Sequence, residues 1–130
     1  MLTQGKMVGF IPTTDYEKAR AFYVDKLGFE FVSLDQFALV VRAGEQTIRI
    51  SKVPNFQPHQ GTVLGWDVED VGSAVAWLRK RGVETEKYPF AQDQELGIWT
   101  TPDGSQVAWF KDPSGNTLGV SHHSSKPPRA

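Results

Sequence analysis

The feature that most limits what this chain can fold into is that its second half repeats its first. Leu27-Gly28-Phe29-Glu30 and Arg81-Gly82-Val83-Glu84 each stand at the exit of an amphipathic segment, and short extended runs follow each of them. Repetition at a long period is architectural, because a unit small enough to recur is too small to bury its own apolar face alone. Neither half covers both faces of its sheet, so an interior has to be shared between modules or between chains. The 130 residues suit one domain with a real core, and 39% hydrophobic with 22% charged residues is the balance of a folded protein.

The elements read in the same order in both halves. Met7-Val8-Gly9-Phe10-Ile11 is a short apolar strand stopped by Pro12. Thr14-Asp15-Tyr16-Glu17 forms a capping box, in which hydroxyl and carboxylate satisfy N–H groups at a helix start. Ala19, Phe22, Tyr23 and Leu27 recur at helical spacing, and Gly28 stands where a left-handed cap is wanted, so a helix is predicted over 15–27. Strand-like runs at 29–34, 37–42 and 47–52 complete a βαβββ unit. The patternless, Pro-containing stretch 53–61 reads as a linker.

A strand at 62–68, a helix at 71–81 capped by Asp70, and extended runs at 84–88, 97–101, 106–111 and 117–121 then repeat the plan. Thr101-Pro102-Asp103-Gly104 and Asp112-Pro113-Ser114-Gly115-Asn116 supply the turns. The expected organisation is one α+β domain over 1–123, with modules 6–52 and 62–122 whose mixed sheets curl around a cavity, and a disordered polar tail at 124–130.

Composition removes several function classes. Lys and Arg number 14 against 15 Asp and Glu, so no positive field gathers phosphates and no nucleic-acid partner is expected. No cysteine is present, which removes thiolate nucleophiles and thiolate metal sites. The first residues lack the apolar run of a signal peptide and no stretch nears the ~20 apolar residues of a membrane span, so a cytoplasmic setting without membrane contact is expected.

The stretch 15–29, with Phe22-Tyr23-Val24-Asp25-Lys26-Leu27-Gly28-Phe29 inside it, and the later Asp112-Pro113-Ser114-Gly115-Asn116 turn before a final strand, resemble the vicinal oxygen chelate superfamily of glyoxalases, bleomycin resistance proteins and extradiol dioxygenases. The resemblance runs from about Lys6 to His122. It implies the glyoxalase/bleomycin-resistance fold, and functions as different as isomerisation, ring cleavage and plain sequestration. Catalytic relatives hold a divalent ion with His, Gln or Glu side chains on strands lining a U-shaped sheet. Transferred to this chain, the four ligand places fall on Val8, Arg49, Val63 and Gly119. Neither the valines nor the glycine can bind a metal, and Arg49 repels one. No metal or other cofactor is expected.

Strand alternation turns Thr47, Arg49, Ser51, Thr117, Gly119 and Ser121 away from the helix layer, while Ile48, Ile50, Leu118 and Val120 face it. Arg49 then suits an anionic or carbonyl ligand, or a salt bridge to Asp67. Trp66 and Trp77 read as core residues. Trp99, Trp109 and Phe10 suit either core packing or a pocket for a flat or apolar molecule. The segment 90–97 is a solvated connector or a lid. His59, His122 and His123 read as surface residues, and Glu95 or Asp67 is a possible base with no partner to specify it.

The expectation is thus metal-independent binding or sequestration of a small organic molecule by a homodimer, through Arg49, Trp99, Trp109, Phe10, Asp67 and Thr47. The alternatives are a metal-dependent lyase, isomerase or dioxygenase of the same superfamily, and a module whose task is association.

Overall fold

A computed structural model describes residues 1–123; the tail at 124–130, expected to be disordered, lies outside the described residues. Contacts gather in two compact units, Met1–Pro58 together with Asp112–Asn116, and His59–Lys111 with the chain from Thr117 onward. Each is a four-stranded mixed sheet with one helical segment between its first two strands, the βαβββ plan expected from the repeat, and a short 3-10 turn at Leu2–Gln4 precedes the first.

In the first unit, β1 (Val8–Thr13) leads to α1 (Tyr16–Arg20), then to β2 (Glu30–Leu34), β3 (Leu39–Ala43) and β4 (Gln46–Lys52), in the order β1-β4-β3-β2. β1 pairs in parallel with β4, and the hairpins are antiparallel. Three details differ from the sequence reading. β1 runs through Pro12, which it tolerates because it is an edge strand with one side free of ladder bonds. The helix cap is Asp15, whose carboxylate accepts from the Lys18 N–H at 3.1 Å, whereas the Thr14 hydroxyl meets the Ser114 hydroxyl at 3.0 Å. The single helix expected over 15–27 becomes α1 followed by a π-helical turn, Ala21–Lys26. That wider turn rotates successive residues by less, and Phe22 and Tyr23 both enter the core.

The Asp112–Asn116 turn completes this unit. The Tyr23 hydroxyl donates to Asp112 Oδ2 at 2.6 Å, and Asn116 Nδ2 donates to the same oxygen at 2.8 Å. Asp112 Oδ1 accepts from the Ser114 and Asn116 N–H groups, each at 2.9 Å, and Asn116 Nδ2 also reaches the Pro12 carbonyl at 2.8 Å. Burial, and secondarily the Asp112 carboxylate, push the Tyr23 phenol far above its ordinary range.

In the second unit, β5 (Thr62–Asp67), α2 (Val71–Lys80), β6 (Trp99–Thr100), β7 (Gln106–Lys111) and β8 (Thr117–His122) give the order β5-β8-β7-β6. Asp70 caps α2, accepting from the Ser73 N–H at 2.9 Å. Val71, Val75 and Leu78 form the buried stripe of α2, which packs on β7 and β8. Trp77 lies off that stripe and is 42% exposed beneath the Arg81 guanidinium, 4.3 Å from its ring, which corrects its expected core position. Trp66 does turn inward and stacks on Phe110.

The strand expected at 84–88 reduces to one bridge, Thr85 to Phe110, and the one expected at 97–101 shortens to β6. The Gln92 side chain explains the shortening, since its amide takes the place of a strand partner. It donates to the Thr100 carbonyl at 2.8 Å and accepts from the Thr100 N–H at 2.9 Å. Among the described residues no helix is long and apolar enough to cross a membrane.

Candidate functional site

The face of the second sheet turned away from α2 is laid out in rungs. Register places Thr62, Thr117 and Lys111 side by side across β5, β8 and β7, then Gly65, Gly119 and Trp109, then Asp67, Ser121, Val107 and Trp99. The middle rung is shaped by its glycines. A Cβ on Gly119 would lie 3.4 Å from Trp109 Cδ1, so glycine leaves room for the indole to lie across the strands. Thr62 Oγ1 accepts from Trp109 Nε1 at 3.0 Å and fixes the ring's orientation.

Trp99 and Trp109, expected from the sequence as pocket residues, come together with ring centroids 6.1 Å apart and nearly parallel. Tyr88 and Phe90 join them. Phe90 stands edge-on to both indoles at 5.8 and 5.7 Å and stacks on Tyr88 at 5.4 Å. A cleft of about 500 Å³ opens beside this cluster, lined by Thr62, Tyr88, Phe90, Trp109, Lys111 and Thr117. Phe90 is 55% exposed, so the aromatic wall faces outward and is not merely core.

The segment 90–97 is neither a free lid nor a loose connector. Gln94 Nε2 donates to the Tyr88 and Ala91 carbonyls at 2.8 and 2.6 Å, and Asp93 Oδ1 accepts from the Leu96 N–H. The Arg79 guanidinium donates to the Glu95 carbonyl at 2.6 Å. These bonds hold Phe90 against the tryptophans.

Of the residues lining this cleft, the sequence reading singled out Trp109 and put Thr117 on the open face by alternation, but did not single out Tyr88, Phe90 or Lys111. Lys111 was available in the same way, from alternation with Trp109. Phe90 was not, because its position depends on the side-chain amides of Gln92 and Gln94. Asp67 lies on the same sheet face, paired in register with Ser121 on the edge strand. Val63 has no Cα partner in β8, because the register shifts between Thr62 and Leu64.

The remaining expected residues belong to the first unit. Arg49 stands in register between Phe10 on β1 and Val40 on β3, and Thr47 pairs with Val8. Phe10 is 70% exposed. The Asp35 carboxyl is held below the usual range by the Phe37 and Ala38 N–H groups, with a smaller contribution from Arg49. Of the histidines, His59 Nδ1 accepts from the Gly61 N–H, His122 Nδ1 lies 2.9 Å from the Val68 carbonyl, and His123 Nε2 lies 3.3 Å from Ser121 Oγ.

At the places that the resemblance assigns to the superfamily's divalent ion, the side chains of Val8, Val63 and Gly119 offer no lone pair and Arg49 offers a cation, so these residues do not fit that ion. Among the described residues no group of three or more His, Asp or Glu side chains is placed to hold a metal ion.

Comparison with known proteins agrees with the fold. The glyoxalase family protein from Enterococcus faecalis superposes with a TM-score of 0.73 at 24% identity, covering 93% of this chain and 99% of that one. A member of the same superfamily from Sphaerobacter thermophilus DSM 20745 gives 0.70 at 23% identity, covering 95% and 100%. An antibiotic binding protein from Streptomyces sp. CB03234 gives 0.66 at 24% identity, covering 95% and 99%. No curated protein sequence matches the chain. The model of the Glyoxalase/Bleomycin resistance protein/Dioxygenase superfamily matches residues 6–120, and the chain belongs to that superfamily.

Proposed function

We propose that the protein binds or sequesters a small organic molecule, without a metal, in the cleft beside Trp109. The observation that carries this reading is the aromatic wall of Tyr88, Phe90 and Trp109, backed by Trp99, on a cleft of about 500 Å³, within the ~300–1,000 Å³ range of small-molecule pockets. The absence of ligating side chains at the four places the resemblance assigns to a metal supports it, as does the antibiotic binding protein among the structural relatives. Trp99 and Trp109 supply apolar contact, and Asp67 lies farther along the same face. In the first unit the exposed Phe10 stands in register beside the half-buried Arg49, two residues from the half-buried Thr47, and the guanidinium suits an anionic or carbonyl group.

A panel of flat aromatic compounds titrated against intrinsic tryptophan fluorescence tests the reading. At least one compound is expected to quench saturably, and Trp109→Ala is expected to weaken that compound at least tenfold, the equivalent of ~1.4 kcal/mol of lost ring contact. Binding unaffected by Trp109→Ala would move the site elsewhere.

The same reading includes a homodimer. The edge strand β1 begins beside Met7, 83% exposed, and carries the exposed Phe10, an apolar edge that a second copy would cover. Light scattering at micromolar concentration is expected to give twice the chain mass; a monomeric mass persisting as concentration rises would refute it.

A further inference from the structure

The first rung of the second sheet has an unmet chemical demand. Thr117 is 3% exposed, and its Oγ1 is buried without a hydrogen-bond partner among the described residues. Buried hydroxyls are normally satisfied, and the exceptions ask for an explanation. Directly across from Thr117 in the β7–β8 register is Lys111, and both line the cleft together with Trp109. Among the described residues no ion pair engages the Lys111 ammonium. Among the described residues, one end of an aromatic cleft therefore holds a hydroxyl lacking a partner next to a cation lacking an anion.

We infer that the cleft takes an aromatic acid, its ring against Trp109 and Phe90 and its carboxylate at Lys111 and Thr117. This rests on the proposed function and narrows it to a ligand class. The geometry matches the division of labour in such a ligand. The tryptophan is two residues from Lys111 on the same strand face, about two strand rises of ~3.4 Å, which is the scale separating a ring from its carboxyl group. Thr62, in the same rung as Thr117, is occupied in holding the indole, so it does not compete for the acid.

Naphthalene-2-carboxylate and its neutral amide, titrated calorimetrically at low ionic strength, separate the inference from its parent. The wild-type protein is expected to bind the acid at least tenfold more tightly than the amide. In Lys111→Met that preference should fall to within threefold, with the amide affinity changed less than threefold. In Thr117→Val both ligands should weaken severalfold, since both present a carbonyl, while the melting temperature stays level or rises. Equal binding of acid and amide, or an undiminished preference in Lys111→Met, overturns the acid inference and leaves the aromatic cleft standing. A lower melting temperature in Thr117→Val would show that the hydroxyl already has a partner and would overturn its role. If neither compound binds, the acid inference falls, and the fluorescence panel with Trp109→Ala decides the aromatic cleft separately.

Discussion

Asp112→Ala is expected to lower the melting temperature by roughly 10–20 °C, corresponding to ~3–5 kcal/mol, the range for breaking a buried polar network by removing one member. Four donors converge on this carboxylate: the Tyr23 hydroxyl, Asn116 Nδ2, and the Ser114 and Asn116 N–H groups. Alanine removes the acceptor of all four, three of which belong to the fully buried Tyr23 and Asn116, and only Asn116 Nδ2 keeps another partner, the Pro12 carbonyl. Tyr23→Phe removes a single donor and should cost less, ~1.5–3 kcal/mol, as for one hydrogen bond to a charged group. The Tyr23 pKa, raised by burial and by Asp112, adds a pH signature. The folded state holds that proton more tightly than the unfolded chain does. Its contribution is therefore fully present below the ordinary tyrosine value near ~10 and is lost as pH rises above it. Calorimetric scans from neutral to alkaline pH should show this decline in the wild type and a flatter one in Tyr23→Phe. A melting temperature for Asp112→Ala within about 3 °C of the wild type would contradict the network's role.

Gly97→Ala is expected to cost ~2–5 kcal/mol and to disturb the aromatic wall as well. Gly97 has φ +73°, a left-handed conformation that costs a side chain ~1–2 kcal/mol. An added Cβ would also lie 2.5 Å from the Glu86 carbonyl oxygen and 2.8 Å from Thr85 Oγ1, an overlap worth a further ~1–3 kcal/mol. Neither neighbour can yield cheaply. The Glu86 N–H is bonded to the Trp109 carbonyl at 2.8 Å, and Thr85 Oγ1 both donates to the Leu96 carbonyl and accepts from Lys87 Nζ, each at 2.7 Å. Relief must come from displacement of the 90–97 segment, which would separate Phe90 from Trp99. Gly104→Ala is the matched control, since Gly104 has φ +90° but nothing within 4 Å of its added Cβ. Denaturant titration should show Gly97→Ala losing clearly more stability than Gly104→Ala, with a changed near-ultraviolet tryptophan spectrum. Equal losses would mean that the crowding at Gly97 has no energetic weight.

The fold was legible in the sequence because its main determinants are local. Alternation in Thr47–Lys52, the glycines at 28 and 82, and the Asp-Pro-Ser-Gly-Asn turn each specify a shape within a few residues. The errors lie where a side chain stands in for backbone. Ser114 engages the Thr14 hydroxyl and leaves the cap to Asp15, and Gln92 supplies the partner that β6 would otherwise find in a longer strand. The site was half legible for the same reason. Trp99 and Trp109 follow from strand parity, whereas Phe90 reaches them through a loop shaped by Gln92 and Gln94. Thr117 has the parity of an open-face residue, but its missing hydrogen-bond partner is a fact of three-dimensional packing.

The assignment of Asp112–Asn116 to the first unit bears on the order in which the protein can mature during synthesis. Small domains generally fold as their residues leave the ribosome, earlier segments first. Here the carboxylate that receives the Tyr23 hydroxyl is encoded 89 positions after it. A nascent chain ending near Pro58 already contains β1 to β4 yet lacks the group that seals their core, so the first unit waits until residues 112–116 have been made. Translational pauses inside the second unit would prolong exposure of an unfinished first one, and synonymous codon choice across 59–111 becomes a quality-control variable for residues 1–58.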